Sequence, residues 1–481
     1  MAAVGEATAR PDWPDLLRLE GFGAVYYHRP RAATYLYPQH LAQLLAAARE
    51  RSVLEVYLQQ RAVLPLPESV FAREVAHWRR LGLLDEGYRL RARLLDGRGA
   101  GATLSAPLVT HVQVTGACNL SCSHCYVPVT PRPAPGEMDT AALRALLLEL
   151  GAIGCPVVVL AGGEPLRRPD LFEILEVLPR AQLDVWLCTN ATLLDRDKAE
   201  RLAASGLRGL QVSLDGPDAA THDFLRGPGQ FARALRGVRH ALAAGIPEVK
   251  LRATVTAHNK DRLAEFAPLA AELGVHRVAF KPFDLVGVAS GAHELYIDRR
   301  SYFEAIERAR TAWPADGVPA DFSDGMPTRP PDWTRLIPAF GCVGGTTSAT
   351  VLPDGRVVAC GVFTSEDDCR LGEHTFAECW LGSRAIERWR RLAGNAQCRS
   401  CANFGLCGGG CRARAVAAGR GFEDPDPWAP CSMWQPAPPA PPLRAPRPGA
   451  PALPPPAAPS RLRAGLRAGG GARRLPMAGR G

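Results

Sequence analysis

The stretch Cys118-Asn119-Leu120-Ser121-Cys122-Ser123-His124-Cys125-Tyr126 sets three cysteines at C-x3-C-x2-C spacing, with an aromatic residue directly after the last. Three thiolates so spaced can each hold one iron of a four-iron cluster and leave the fourth iron open to a small chelating ligand. A structural zinc site closes its coordination with four protein ligands, commonly in two short pairs, and this loop has no second pair. His124 is expected to face outward or to stand behind the thiolates rather than to ligate.

The wider chain agrees with that chemistry. At 481 residues, 47% of them hydrophobic, it is too long for one core, so three domains and a tail are expected. No run reaches the length of a membrane span and the start has no apolar signal stretch, which predicts a cytoplasmic protein with no membrane partner. Fourteen cysteines in such a compartment argue for metal clusters over disulfides. The formal charge of +9 suggests nucleic acid, but residues 436–481 hold eight Arg and no acid, which leaves +1 for the rest. That Pro/Arg-rich tail reads as a disordered extension.

From Val109 to about Phe283, short β-branched runs alternate with amphipathic stretches. Strands are predicted at Val109–Thr115, Val157–Ala161, Asp184–Thr189, Gly209–Leu214, Val249–Thr256 and Arg277–Phe280, with helices between them. Six strand–helix units imply a parallel sheet with right-handed crossovers, too few for a closed eight-stranded barrel. The fold class is α/β, a partial (β/α)6 barrel over residues 105–300. Function in such folds sits at the carboxyl ends of the strands. There lie Ala161-Gly162-Gly163-Glu164-Pro165, then Thr189-Asn190-Ala191, then Ser213-Leu214-Asp215-Gly216-Pro217 with Arg226 beyond. Paired glycines permit close backbone approach, Glu164 can accept from an ammonium group, and Arg226 suits a carboxylate. Asp215 also reads as a helix cap.

Together with the cysteine loop, this ordered set resembles the radical S-adenosylmethionine (radical SAM) enzymes. The resemblance implies that Cys118, Cys122 and Cys125 hold a [4Fe-4S] cluster whose open iron chelates S-adenosyl-L-methionine. Electron transfer would then cleave a carbon–sulfur bond to give a 5′-deoxyadenosyl radical. It also implies that Tyr126, Gly162, Gly163, Glu164, Ser213 and Arg226 contact the cofactor; no further catalytic side chain is singled out. The family's usual Thr-Asn-Gly is Thr189-Asn190-Ala191 here, a departure that matters if the position needs a left-handed backbone.

A second array follows in residues 301–435: Cys342-x12-Gly355-x4-Cys360, then Cys398-x2-Cys401-x5-Cys407-x3-Cys411, then Cys431. Pro353-Asp354-Gly355 reads as a hairpin turn that brings Cys342 toward Cys360. The array resembles the SPASM domain, a small cysteine-rich cluster-binding module appended to radical SAM enzymes that mostly modify peptides. By that resemblance Cys398, Cys401, Cys407 and Cys431 hold an outer auxiliary [4Fe-4S] cluster, and Cys342, Cys360 and Cys411 an inner one short of a ligand. Cys369 is the nearest spare; Cys379, Cys155 and Cys188 read as packed apolar residues.

Residues 1–100 differ in character. A hairpin over Ala24–Tyr37, helices at Gln39–Arg49, Val53–Gln60 and Glu68–Leu81, and a wing at Leu83–Leu90 predict a winged-helix domain. It resembles the peptide-recognition domains of the pyrroloquinoline quinone pathway, which bind a leader peptide as an added strand. The reading is a maturase that uses a deoxyadenosyl radical to form a thioether or carbon–carbon link in a ribosomally made precursor peptide, with flavodoxin or ferredoxin as electron donor. Rival readings are a sulfatase-maturing enzyme, which would carry an acid where Gly361 stands, a tetrapyrrole-modifying enzyme, and a DNA-binding iron–sulfur redox sensor.

Overall fold

The computed structural model describes residues 13–64, 66–97, 103–322, 342–391, 396–401 and 404–428; Cys431 and the tail 436–481 lie outside the described residues. Among the described residues no helix is long and apolar enough to cross a membrane.

At the N-terminus, β2 (Gly23–His28) and β3 (Ala33–Pro38) form the expected hairpin. Two strands that sequence reading did not anticipate extend it. β1 (Leu16–Glu20) pairs antiparallel with β2, and β4 (Arg93–Asp96) returns parallel to β1, giving the order β3-β2-β1-β4. The expected helices appear at Gln39–Ala47, Val53–Gln60 and Glu68–Arg80. Their apolar faces close a core with Tyr26, Tyr37 and Trp78. The anticipated wing is one antiparallel bridge, Leu84 to Leu90, so the module is a four-stranded sheet carrying three helices rather than a hairpin with a developed wing.

The second sheet contains all six anticipated strands: β5 (Val109–Thr115), β6 (Val157–Gly162), β7 (Asp184–Thr189), β8 (Gly209–Ser213), β9 (Val249–Val255) and β10 (Arg277–Pro282). Each pairs parallel with its sequence neighbour. Aspartates open the intervening helices: Asp139, Asp195 and Asp218 each accept a backbone N–H from inside the first turn. The sheet continues past residue 300. The helix Arg299–Ala312 buries Tyr302, Ala305, Ile306 and Ala309 in the same core, and β11 (Ala320–Asp321) pairs with β10. On the other edge, β12 (Ser348–Val351) runs parallel to β5 and turns at Pro353-Asp354-Gly355 into β13 (Val357–Val358). The cysteine-rich segment therefore joins the barrel's own sheet.

The two sheets meet through buried charge. Arg18 is fully buried; it pairs with Glu20 at 2.6 Å and donates to the carbonyls of Gly154 at 2.6 Å and Ala106 at 2.7 Å. Tyr27 and Arg29 both reach Asp184, at 2.7 and 2.9 Å. Gly154, Ala106 and Asp184 stand at the amino ends of β6, β5 and β7, so the N-terminal module grips the end of the barrel opposite to the cysteine loop. Removing one partner of a buried pair strands the other charge, at a cost of about 3–5 kcal/mol. Arg18→Ala is expected to lower the unfolding free energy from a urea titration by an amount in that range, or to split off an early transition for the N-terminal module. Arg73→Ala, whose side chain is 70% exposed, should leave the melt unchanged.

Candidate active site

The cysteine loop leaves β5 through an irregularity at Gln113/Thr115. The Thr115 hydroxyl accepts from Ala117 N at 3.0 Å, which begins the turn. The loop is pinned at Ser123, whose N–H donates to the Leu225 carbonyl at 3.0 Å, across to the helix Ala219–Arg226. Cys118, Cys122 and Cys125 are half-buried free thiols. Burial pushes the Cys122 thiol up to about 11, against the pull of Arg226; Cys118 and Cys125 are raised by burial too. Thiols in this state bind metal only as thiolates, so a cluster would displace their protons. Tyr126 is 43% exposed, with its carbonyl held by Val288 N at 3.2 Å.

At the end of β6 the paired glycines do what sequence reading assigned to a ligand, but toward the protein itself. A Cβ on Gly162 would lie 2.2 Å from the Thr115 carbonyl, and one on Gly163 2.2 Å from that of Ala117. Their bareness lets this strand end lie flush against the root of the cysteine loop. Glu164 is buried, and its carboxylate accepts from Leu166 N (3.1 Å), Thr189 Oγ1 (2.7 Å) and Asn190 N (2.8 Å). It ties the end of β6 to the end of β7. Asn190 in turn donates to Asn119 of the cysteine loop at 3.0 Å. Ala191 adopts φ 57, left-handed, the conformation for which the family's glycine is suited. The strain costs about 1–2 kcal/mol, and Gly237 packs so closely on the Ala191 carbonyl that a Cβ there would lie 2.1 Å away.

Asp215 proves to be the hub. The helix Ala219–Arg226 is capped by Asp218, not Asp215. Asp215 is fully buried, accepts from Arg226 Nε at 2.5 Å and Thr254 N at 2.8 Å, and pairs with His124 Nε2 at 3.2 Å. Burial alone would raise its carboxyl; Arg226 and His124 beside it hold it well below the usual carboxylate range. Arg226 also reaches Cys122 Sγ at 3.8 Å. His124 is thus buried behind the thiolates, not outward-facing. Asn259 closes the turn after β9, donating to the Asp215 carbonyl at 2.7 Å and accepting from Thr256 N at 2.8 Å. Ser213 ends β8, half-buried, opposite Arg252 of β9.

Six cysteines of the second array lie among the described residues, and neighbouring thiols act on one another there. Burial raises Cys360 to about 12, with Cys342 and Cys411 near enough to add to it. Burial raises Cys407 as well, with Cys398 and Cys401 adding. Gly408, Gly409 and Gly410 all take positive φ, a path that favours glycine at three successive positions. Cys369 and Cys379 form a disulfide, Cα–Cα 5.4 Å. This corrects two expectations: Cys369 is not a spare cluster ligand, and Cys379 is not merely packed. Cys155 is buried as expected, whereas Cys188 faces the barrel interior, its sulfur 3.2 Å from Gln211 Nε2. Among the described residues no three His, Cys, Asp or Glu side chains converge on a single metal ion; thiolates that each take a different iron need not.

The Radical SAM superfamily model matches residues 112–270, from β5 through the helix Phe266–Leu273. An AdoMet-dependent heme synthase of Methanosarcina barkeri is 32% identical over 346 residues, 68% of this chain and 97% of that protein. The chain belongs to the radical SAM superfamily. Mycofactocin maturase MftC of Mycobacterium ulcerans is 30% identical over 335 residues, 67% of this chain and 88% of that protein. Among solved structures, Streptococcus suis SuiB bound to its precursor peptide SuiA superposes with a TM-score of 0.67 at 17% identity, over 86% of this chain and 97% of that one. Membership makes this radical SAM protein an enzyme with a [4Fe-4S] cluster and S-adenosylmethionine. The residues fit the cluster: three unpaired thiols on one loop, with a buried cation beside Cys122.

Sequence reading missed the Asp215–His124–Arg226 triad because an Asp before a helix is most often a cap. The available signal was a second Asp, at 218, already suited to that role. Asp215→Asn removes the charge that holds Arg226 and His124. Iron bound per chain after anaerobic reconstitution should fall, and stability should drop by about 3–5 kcal/mol; Asp218→Asn, at a half-buried cap, should leave the iron unchanged and cost no more than about 1 kcal/mol.

Proposed function

We propose that this radical SAM enzyme modifies a ribosomally made precursor peptide, forming a thioether or carbon–carbon link, and that its N-terminal module holds the leader. The observation that carries this reading is the free edge of β3. Among the described residues β3 pairs with β2 alone, and five of its six residues are half-buried. The opposite edge, β4, abuts the barrel through Arg93 and Gln182. An open edge offers backbone donors and acceptors to an added strand. SuiB, solved with a precursor peptide, supports the reading through its fold. Residues 98–481 make up about four fifths of this chain, so an 86% match takes in part of the N-terminal module.

When bound, the cluster and S-adenosylmethionine supply a carbon radical that abstracts hydrogen. Forming one such link removes two hydrogens from the peptide: one as an atom, the other as a proton and an electron. The electron needs an acceptor, a role for auxiliary clusters on Cys342, Cys360 and Cys411 and on Cys398, Cys401, Cys407 and Cys431. Flavodoxin or ferredoxin would supply the initiating electron. Gly162, Gly163, Glu164, Ser213, Arg226 and Tyr126 line the carboxyl end of the sheet, where they would position the cofactor. The N-terminal module grips the amino end, and strands of five to seven residues separate the ends by about 20 Å. A peptide spanning both needs about six extended residues between leader and core.

A tetrapyrrole substrate has the 32% relative behind it. That relative and the maturase each cover about two thirds of the chain, and a small molecule gives the N-terminal sheet no task.

A fluorescent leader peptide should bind the full-length chain saturably and resist competition by duplex DNA. The anaerobic holoenzyme should then remove two hydrogens from the precursor, seen by mass spectrometry, and Cys118, Cys122 and Cys125 all changed to Ala should bind the leader yet leave it unmodified. Duplex binding without leader binding would reverse the reading. Iron should approach about twelve per chain, three cubanes of four; the Cys342→Ala/Cys360→Ala pair should lower it by about four while Cys155→Ala does not.

A further inference from the structure

Along β9, Val249, Leu251, Ala253 and Val255 are fully buried against the helices, so Lys250, Arg252 and Thr254 face the interior of the curved sheet. β10 runs parallel beside it, with Ala279 opposite Arg252 and Lys281 opposite Thr254, which sets Lys281 on the same face. Lys250 and Arg252 are half-buried and Lys281 is exposed, so the space they face is not filled by side chains. Lys250 Nζ lies 4.5 Å over the Trp186 ring. Among the described residues neither the Arg252 guanidinium nor the Lys281 amine forms an ion pair or a hydrogen bond.

Their charges act on one another instead. Arg252 first, then the cleft walls that crowd its water-accessible amine, hold Lys281 down to about 8, only partly offset by Asp321 and Asp284. Burial, then Arg252 and Lys281, holds His111 of β5 down to about 4, so that ring is neutral near pH 7. Arg252 also stands near enough to Tyr126, beside the third loop cysteine, for its charge to reach that hydroxyl. The cysteine segments have cations of their own: Arg226 is paired with Asp215, and Arg414 with Asp284 and Asp426. Like charges gathered in a cleft and only partly offset by carboxylates repel, and an anionic ligand relieves them.

We propose that Arg252 and Lys281, with Lys250 behind them, bind a carboxylate of the peptide's core segment and so select an acidic residue or a C-terminus for the reaction. The inference rests on the maturase reading and names the chemistry of its substrate. Arginine's planar fork suits a carboxylate, and a charge-assisted pair in a sheltered cleft discriminates strongly against a neutral amide.

The test compares the precursor peptide with versions in which each core Asp or Glu is replaced by its amide, or the C-terminus is amidated, using the iron-loaded full-length enzyme. Wild type is expected to lose about ten-fold or more in kcat/KM on one of these changes, and which one distinguishes a side chain from the C-terminus. Arg252→Gln and, separately, Lys281→Gln should shrink that ratio to within about two-fold, with Arg252→Lys restoring part of it. The ratio is internal to each variant, so a loss of folded enzyme does not imitate the effect; the exposed Lys281 keeps the test alive should Arg252→Gln fold poorly. Equal processing of all peptides by wild type, or an unaltered ratio in both Gln variants, overturns the carboxylate site and leaves the maturase reading standing. A wild type that modifies no peptide at all overturns both.

Discussion

The buried carboxylate of Asp215 is the constraint on which the catalytic end of this radical SAM enzyme depends. Out of water, a carboxyl favours its neutral form; here Arg226 and His124 keep it charged. In exchange it fixes both partners, and through them the cysteine loop, while its other oxygen fixes β9 at Thr254. Glu164 does the same one strand pair away, tying the ends of β6 and β7. The loops at these strand ends are thereby held by the protein's own side chains. A site that depends on three thiolates meeting one inorganic core benefits from such prior ordering.

The second constraint is directional. Parallel strands give the sheet two unlike ends, and the chain uses both. The N-terminal module is anchored by Arg18, Tyr27 and Arg29 to the amino ends of β5, β6 and β7, while the cysteine loop and its neighbours occupy the carboxyl ends. The N-terminal module and the cysteine loop are thus separated by the height of the barrel. The cysteine-rich segment is placed by a different device. β12 runs parallel to β5, with Thr350 opposite His111, so the strand that leads into the cysteine loop also seats the hairpin between Cys342 and Cys360. The two cysteine arrays therefore share one structural reference.

Charge in the interior follows from the same geometry. On a strand with one face against helices, every second side chain looks into the barrel. Lys250 and Arg252 occupy such positions on β9, Lys281 on β10 and His111 on β5. Only the parallel register of β9 against β10 makes neighbours of residues about thirty apart in sequence, and neighbours is what turns three scattered basic residues into one field.

By itself the sequence determined the local grammar: six β-branched runs, the aspartate-started helices between them, and one cysteine loop specific enough to name the radical SAM cluster. These signals are local because a strand's apolar run, a cap or a C-x3-C-x2-C loop is written in consecutive residues. The tertiary structure alone decided the rest. β4, β11 and β12 take their places in the sheets only through partners far along the chain. The bareness of Gly162 and Gly163 serves the cysteine loop's backbone, and the left-handed Ala191 is visible only as a torsion. Cys369 found Cys379 rather than a cluster, and Asp215 left the capping to Asp218. In each case the deciding partner comes from another segment, and proximity in space is set by packing the sheet, not by distance along the chain.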